Sequence, residues 1–322
     1  MSKLFATLLL FFSLGAQAQL LKIGVLAPEG TTWAKKMDEM AKEIKEATGG
    51  KVRLRFYFGG SQGDEADVLR KIRVGQLQGG IFTGKTLGEI SGDVRVIELP
   101  FTFGNDRDKA LGTLEKMTPF FNGQFAKAGF QSLGFFELGM IYFVSQVKTS
   151  SLNELGGVKI WAWEGDKLVE AMIKELNLVS VPLPLPDVLS SLSTGIIQAA
   201  YAPPMGMLAL QWNTKIKYIV DFPITYSVGA FLLDNKSWAK IPTEHHDKIL
   251  KISQKYVGEV NDANVKDNSD ALSVMKSSGI EMIKFPDADI KRGQELRAAM
   301  VKHLEGTLFS KEAYQLLNKN LK

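Results

Sequence analysis

Cysteine is absent from all 322 residues. That excludes a disulfide framework, a catalytic thiolate, a thiolate metal cage and a lipid-modified cysteine behind a leader. Histidine is scarce, at three. His245 and His246 are neighbours on a helical stretch, so their side chains diverge by about 100°, and His303 stands alone. All three are expected at the solvated surface, with no metal and no cofactor. No His-Glu-x-x-His pair occurs; the one run that spells Gly-x-Ser-x-Gly, Gly59-Gly60-Ser61-Gln62-Gly63, reads as a structural turn and not as a nucleophile elbow, and no enzymatic activity is expected. Beyond residue 18 no apolar run reaches the roughly eighteen residues a membrane span needs. An excess of one charge is missing too. The 39 basic and 35 acidic residues leave +4, without a basic block dense enough to follow a phosphate backbone, so nucleic acid is excluded as a partner.

What is present begins with a route signal. Lys3 is followed by the apolar run 4–14 and by Ala16-Gln17-Ala18, the pattern of a secretory leader cut after Ala18. Export without disulfides points to the periplasm. The remainder, 45% hydrophobic over the whole chain, is long enough for two domains.

The mature chain opens as strand 20–27, helix 33–48 capped by Thr31 or Thr32, strand 52–58 and helix 64–74. That alternation is the signature of a parallel sheet covered on both faces. The run Gly59-Gly60-Ser61-Gln62-Gly63-Asp64 lacks the Lys-Ser/Thr pair of a nucleotide loop and reads as a structural turn. Further on, a strand is expected at 80–83, an extended segment at 94–99, and a loop at 100–104 carrying two exposed or half-buried phenylalanines. Helices follow at 109–121 and 123–128, and then strands at 133–137, 140–145 and 158–163. Pro182, Pro184 and Pro186 preclude a central strand there, and a helix at 187–193 follows. A short strand at 230–233 and a turn at 238–241 lead to a long charged helix at 243–273, about 45 Å if continuous. A last helix is expected at 289–305. Trp161 and Trp163 share a strand face, and Tyr201, Pro203 and Pro204 follow a helical turn. Aromatics at strand ends suit a cleft at the edge of an open α/β sheet.

Leu26-Ala27-Pro28-Glu29-Gly30-Thr31, Gln62-Gly63-Asp64-Glu65, Glu98-Leu99-Pro100-Phe101-Thr102-Phe103, SLNELGGVKI at 151–160, the stretch 192–197 and LLDNKSWAKIP at 232–242 carry a resemblance across nearly the whole mature chain. In order and spacing they resemble the periplasmic substrate-binding subunit of a tripartite ATP-independent periplasmic (TRAP) transporter, the DctP-like family. The resemblance implies a two-lobed α/β periplasmic binding protein fold with a long helix bracing both lobes. Residues 19–145 plus 229–255 would form the first lobe, 146–228 the second, 243–273 the shared helix and 274–322 a C-terminal helical cap. It also implies capture of a small organic solute by lobe closure and delivery to membrane permease subunits or an accessory periplasmic protein. An extracytoplasmic sensor or a protein-interaction subunit on the same fold is the alternative.

The family usually clamps a solute carboxylate with an arginine, but the matching position is Trp161. A second arginine position matches Ile141, an asparagine is replaced by Ala202, and a polar first-lobe residue aligns with Gly84. These replacements lead to the expectation of a neutral or largely apolar solute, because a buried carboxylate without a counter-charge costs several kcal/mol. An ordinary organic acid held by a non-standard contact set is the alternative. Trp161, Trp163 and Tyr201 are expected as stacking walls, Thr31, Glu137 and Gln198 as polar anchors, and Phe82 and Ile141 as the opposite apolar side.

Overall fold

The computed structural model describes residues 18–321, so all but the last residue of the expected leader lies outside the described residues. The first half of the chain alternates as the apolar periodicity requires: β1 (Gln19–Val25), α1 (Thr32–Ala47), β2 (Val52–Tyr57), α2 (Glu65–Arg73), β3 (Gly79–Thr83) and α3 (Gly84–Ile90). Thr31 caps α1 by accepting from the Ala34 amide. Asp64 caps α2, which ends the glycine turn at 59–63 and gives that run its structural use. A 3-10 turn, Gly92–Glu98, leads to α4 (Arg107–Lys127) and β4 (Phe130–Ser145). Then come β5 (Lys159–Trp163), α5 (Lys167–Glu175), β6 (Val179–Leu183), α6 (Val188–Thr194), β7 (Ala199–Ala202) and α7 (Pro204–Ala209). The chain finishes with β8 (Tyr218–Asp234), α8 (Asn235–Ala239), α9 (His246–Ser277), β9 (Glu281–Ile283), α10 (Asp287–Leu304) and α11 (Lys311–Asn320).

Among the described residues one sheet joins nine strands in the order β2-β1-β3-β8-β4-β7-β5-β6, with β9 on β8. Its two halves are the lobes. β1 pairs in parallel with β2 and β3, and β5 with β6 and β7. The antiparallel pair β4 and β8 runs unbroken through both halves: β3 takes residues 229–233 of β8, while β7 takes residues 142–145 of β4. The 32-residue α9, about 48 Å long, lies along β4 and touches α1 of one lobe and α7 of the other. Met37, Met40, Ile44, Ile252 and Val260 pack beneath α1 and α9 in one apolar core. A larger core runs from α4 into the second lobe.

Several expectations need correction. The segment 94–99, whose Val-Arg-Val-Ile-Glu-Leu alternation imitates a strand, is mostly the 3-10 turn. The two helices at 109–128 are one, since Pro119 is accommodated inside it. The two strands at 133–145 are also one, bent where the pairing register slips at 132/134 and 137/139. Gly134 and Gly139 sit in those slips with positive φ. A Cβ on either would run into α9, meeting Val257 at 2.9 Å or Asn268 at 2.8 Å. The short strand at 230–233 is the end of a 17-residue strand. Phe101 and Phe103 are buried. So is His245, which was expected at the surface; neither ring nitrogen makes a hydrogen bond, and Nε2 lies 3.5 Å from Glu244 Oε1. His246 stacks on Trp238 and reaches the Ile241 carbonyl. Pro182 lies in β6, at the edge of the sheet, where its missing N–H costs no ladder bond.

Candidate functional site: a cleft with a buried arginine

A cleft of about 290 Å³ opens between the lobes. Its walls come from the carboxyl ends of parallel strands, where an open α/β sheet leaves space for a ligand. Leu26 to Pro28 follow β1, Gly84 and Lys85 follow β3, Asp166 follows β5, and Pro203 and Met205 follow β7; Asn264, Asp267 and Asn268 of α9 close the back.

Of the residues singled out from the sequence, Thr31, Phe82, Ile141, Trp161, Trp163 and Tyr201 border this cleft. Trp161 stacks on Tyr201 with ring centres 4.9 Å apart and meets Trp163 at 5.7 Å. Its indole N–H is spent on the Leu183 carbonyl at 3.0 Å. The Thr31 hydroxyl is engaged in capping α1 and donating to the Pro28 carbonyl. Glu137 and Gln198 do not border the cleft. Glu137 accepts three bonds from Arg107, and Gln198 accepts from the Lys159 amide at the strand edge.

What sequence reasoning missed is Arg95. It is 4% exposed, on the first-lobe wall. Its Nη1 donates to Glu98 Oε2 at 2.5 Å, and its Nη2 donates to both oxygens of Asp166 at 2.8 and 2.9 Å. Burial works against its charge, but Asp166 and Glu98 outweigh that and hold its pKa above the usual value. Each carboxylate has further donors. Glu98 accepts from the Ser227 hydroxyl and the Val228 amide. Asp166 caps α5 through the amides of Leu168 and Val169. The one available signal was the spacing: Arg95 and Glu98, three apart, meet on a helical turn and not on a strand.

Glu65 is also buried on the cleft wall. Oε1 accepts from the Thr83 amide, while Oε2 has no partner, like Trp33 Nε1, Thr83 Oγ1 and Tyr201 OH around the same space. Burial pushes the Glu65 carboxyl up to about 7. Among the described residues no group of three or more His, Cys, Asp or Glu could hold a metal ion, and no helix is long and apolar enough to cross a membrane.

A family profile, bacterial extracellular solute-binding protein family 7 (DctP), matches residues 23–307. The chain belongs to this family. It is therefore an extracytoplasmic solute receptor and not an enzyme. A solute-binding protein of Verminephrobacter eiseniae is 20% identical over 270 residues, covering 82% of this chain and 78% of the relative. The TRAP periplasmic solute-binding protein of Desulfovibrio salexigens, solved with orotic acid, superposes with a TM-score of 0.85 at 19% identity, covering 94% of this chain and 98% of the other. That of Bradyrhizobium sp. BTAi1, solved with galacturonate, gives 0.86 at 17%, covering 94% and 99%.

The expectation of a neutral or largely apolar solute does not survive these findings. Both of these solved relatives hold acids, and the cleft wall of this chain does contain a buried guanidinium, Arg95, paired with Glu98 and Asp166. Arg95, outside the two familiar arginine positions, folds inward and not to the surface.

Proposed function

We propose that this receptor serves a TRAP-type secondary transport system in the periplasm, capturing a small organic acid between its lobes and presenting it to membrane permease subunits. The observation that carries the acid reading is the buried guanidinium of Arg95 on the cleft wall. Around an apolar floor of Phe82, Ile141 and Trp161, it is the group best suited to meet a desolvated carboxylate. It retains N–H donors beyond the three bonds it makes. Lys85, also buried at the cleft, is held by Glu89 at 2.6 Å. The contact set differs from the one the family resemblance implies, because Trp161 stands where the usual arginine is expected. The partnerless Trp33 indole, Tyr201 hydroxyl and Glu65 Oε2 suit the remaining hydroxyl or amide groups of the solute. The leader ends at Ala18 on this reading, and the lobes are 19–145 with 229–255 and 146–228.

Calorimetric titration of the mature protein with orotate, galacturonate and a panel of other small carboxylates tests it. At least one acid should bind, and Arg95→Gln should weaken it by at least tenfold, the scale of a lost charged contact of about 1.5–3 kcal/mol. Undiminished acid binding in the variant would refute the role of Arg95.

A further inference from the structure

The two walls of the cleft are tied to each other. Arg95 and Glu98 belong to the first lobe and Asp166 to the second, and all three are more than nine-tenths buried. A parallel tie runs beside them, where Trp163 Nε1 of the second lobe donates to Asp64 Oδ2 of the first at 2.9 Å. The room for the ion cluster is made by two glycines a helical turn apart. A Cβ on Gly84 would lie 1.8 Å from Glu98 Oε2 and 2.2 Å from Arg95 Nη1, and one on Gly88 would lie 2.8 Å from Arg95 Cγ. Asp166 thus lays a carboxylate on the guanidinium from across the cleft, which is the approach an incoming acid would have to make.

We propose that Asp166 is a resident anion that occupies Arg95 from the opposite lobe, draws the lobes together before any solute arrives, and sets acid affinity because a solute must share or displace it. This rests on the reading of Arg95 as the carboxylate contact. Two carboxylates already neutralise the guanidinium, so a third anion gains less from it than it would from a free arginine. Removing the Asp166 charge should loosen closure and strengthen acid binding together. A merely structural role would weaken binding.

The experiment uses the full mature chain carrying Arg73→Cys and Lys174→Cys, exposed positions on α2 and α5, with spin labels on both; no native cysteine interferes. Asp166→Asn preserves size and helix capping, and Asp166→Ser, another capping residue, stands in if the first variant does not fold. Without solute, the parent should give one narrow, short inter-lobe distance and the Asp166 variant a broader, longer distribution. Orotate should bind the variant at least tenfold more tightly than the parent, the scale of coupling for a close buried charge pair. An unchanged distance, or equal or weaker orotate binding, overturns the proposal. The distance comparison needs no solute, so its failure is separate from the Arg95→Gln result that would refute the acid reading itself.

Discussion

Glu65 shows how far a single side chain can depart from its ordinary chemistry. In the unfolded chain its carboxyl titrates near 4.5, whereas in the cleft wall burial moves it to about 7. Below the lower value it is neutral in both states. Above the higher it is ionised in both, and the folded state then carries a penalty of about 3 kcal/mol. The contribution of this position to stability therefore declines as pH climbs between the two values. Glu65→Gln should gain on the parent by roughly that amount between pH 5 and pH 8 in urea unfolding, and an offset independent of pH would contradict the assignment. Gly84 makes a different prediction. Its Cβ has nowhere to go but into the Arg95–Glu98 pair, so Gly84→Ala should cost about 3 kcal/mol, the scale of breaking a buried ion pair. Neither residue announced this in the sequence. Gly84 read as the loss of a polar contact, because the groups that fill its space sit 11 and 14 positions later.

At the level of elements, legibility followed the range of the interactions. β1, α1, β2 and α2 were readable to within about two residues, because apolar spacing, the Thr31 and Asp64 caps and the glycine stops are all local. The 3-10 turn at Gly92–Glu98 was not, since an alternating Val-Arg-Val-Ile-Glu-Leu run satisfies a strand's period and only the burial of Arg95 against Asp166, 71 positions away, decides otherwise. β4 read as two strands because its bulges are paid for by a distant helix. Asn261 donates to the Phe135 carbonyl and accepts from the Glu137 amide, Asn264 donates to the Glu137 carbonyl, and Asn268 donates to the Leu138 carbonyl. Asn268 also accepts from the Met205 amide at the start of α7, so one side chain touches the bend of β4 and the second lobe. Asn268→Ala would strand two backbone groups and should lower stability by about 1–3 kcal/mol. Asp270→Ala, on an exposed part of the same helix, should stay within about 0.5 kcal/mol. Denaturant midpoints at unchanged m-value would check both.

For the molecule as a whole, the resemblance identified the family and the two-lobed plan from landmarks spread along the chain, while solute chemistry was misjudged because it depends on which cations fold inward. If the solute is the proposed acid and binds only the folded chain, it must stabilise that fold. At a hundredfold excess over the dissociation constant the gain should be about 2.7 kcal/mol, visible as a rise in melting temperature that a tenfold weakening by Arg95→Gln cuts to about half at the same acid concentration. A flat melting temperature in the parent, under calorimetrically confirmed saturation, would mean that the acid binds the unfolded chain equally.

The continuous strands β4 and β8 and the helix α9 leave no slack tether between the halves of the protein. Parting them must change the twist of a bonded ribbon, so the receptor resembles a leaf spring more than a door on a pin. Its resting shape is set by elasticity as well as by whatever sits in its jaws, and stiffening the ribbon at Gly139, where an added Cβ would press on Asn268 at the back of the cleft, would alter how fast the jaws part.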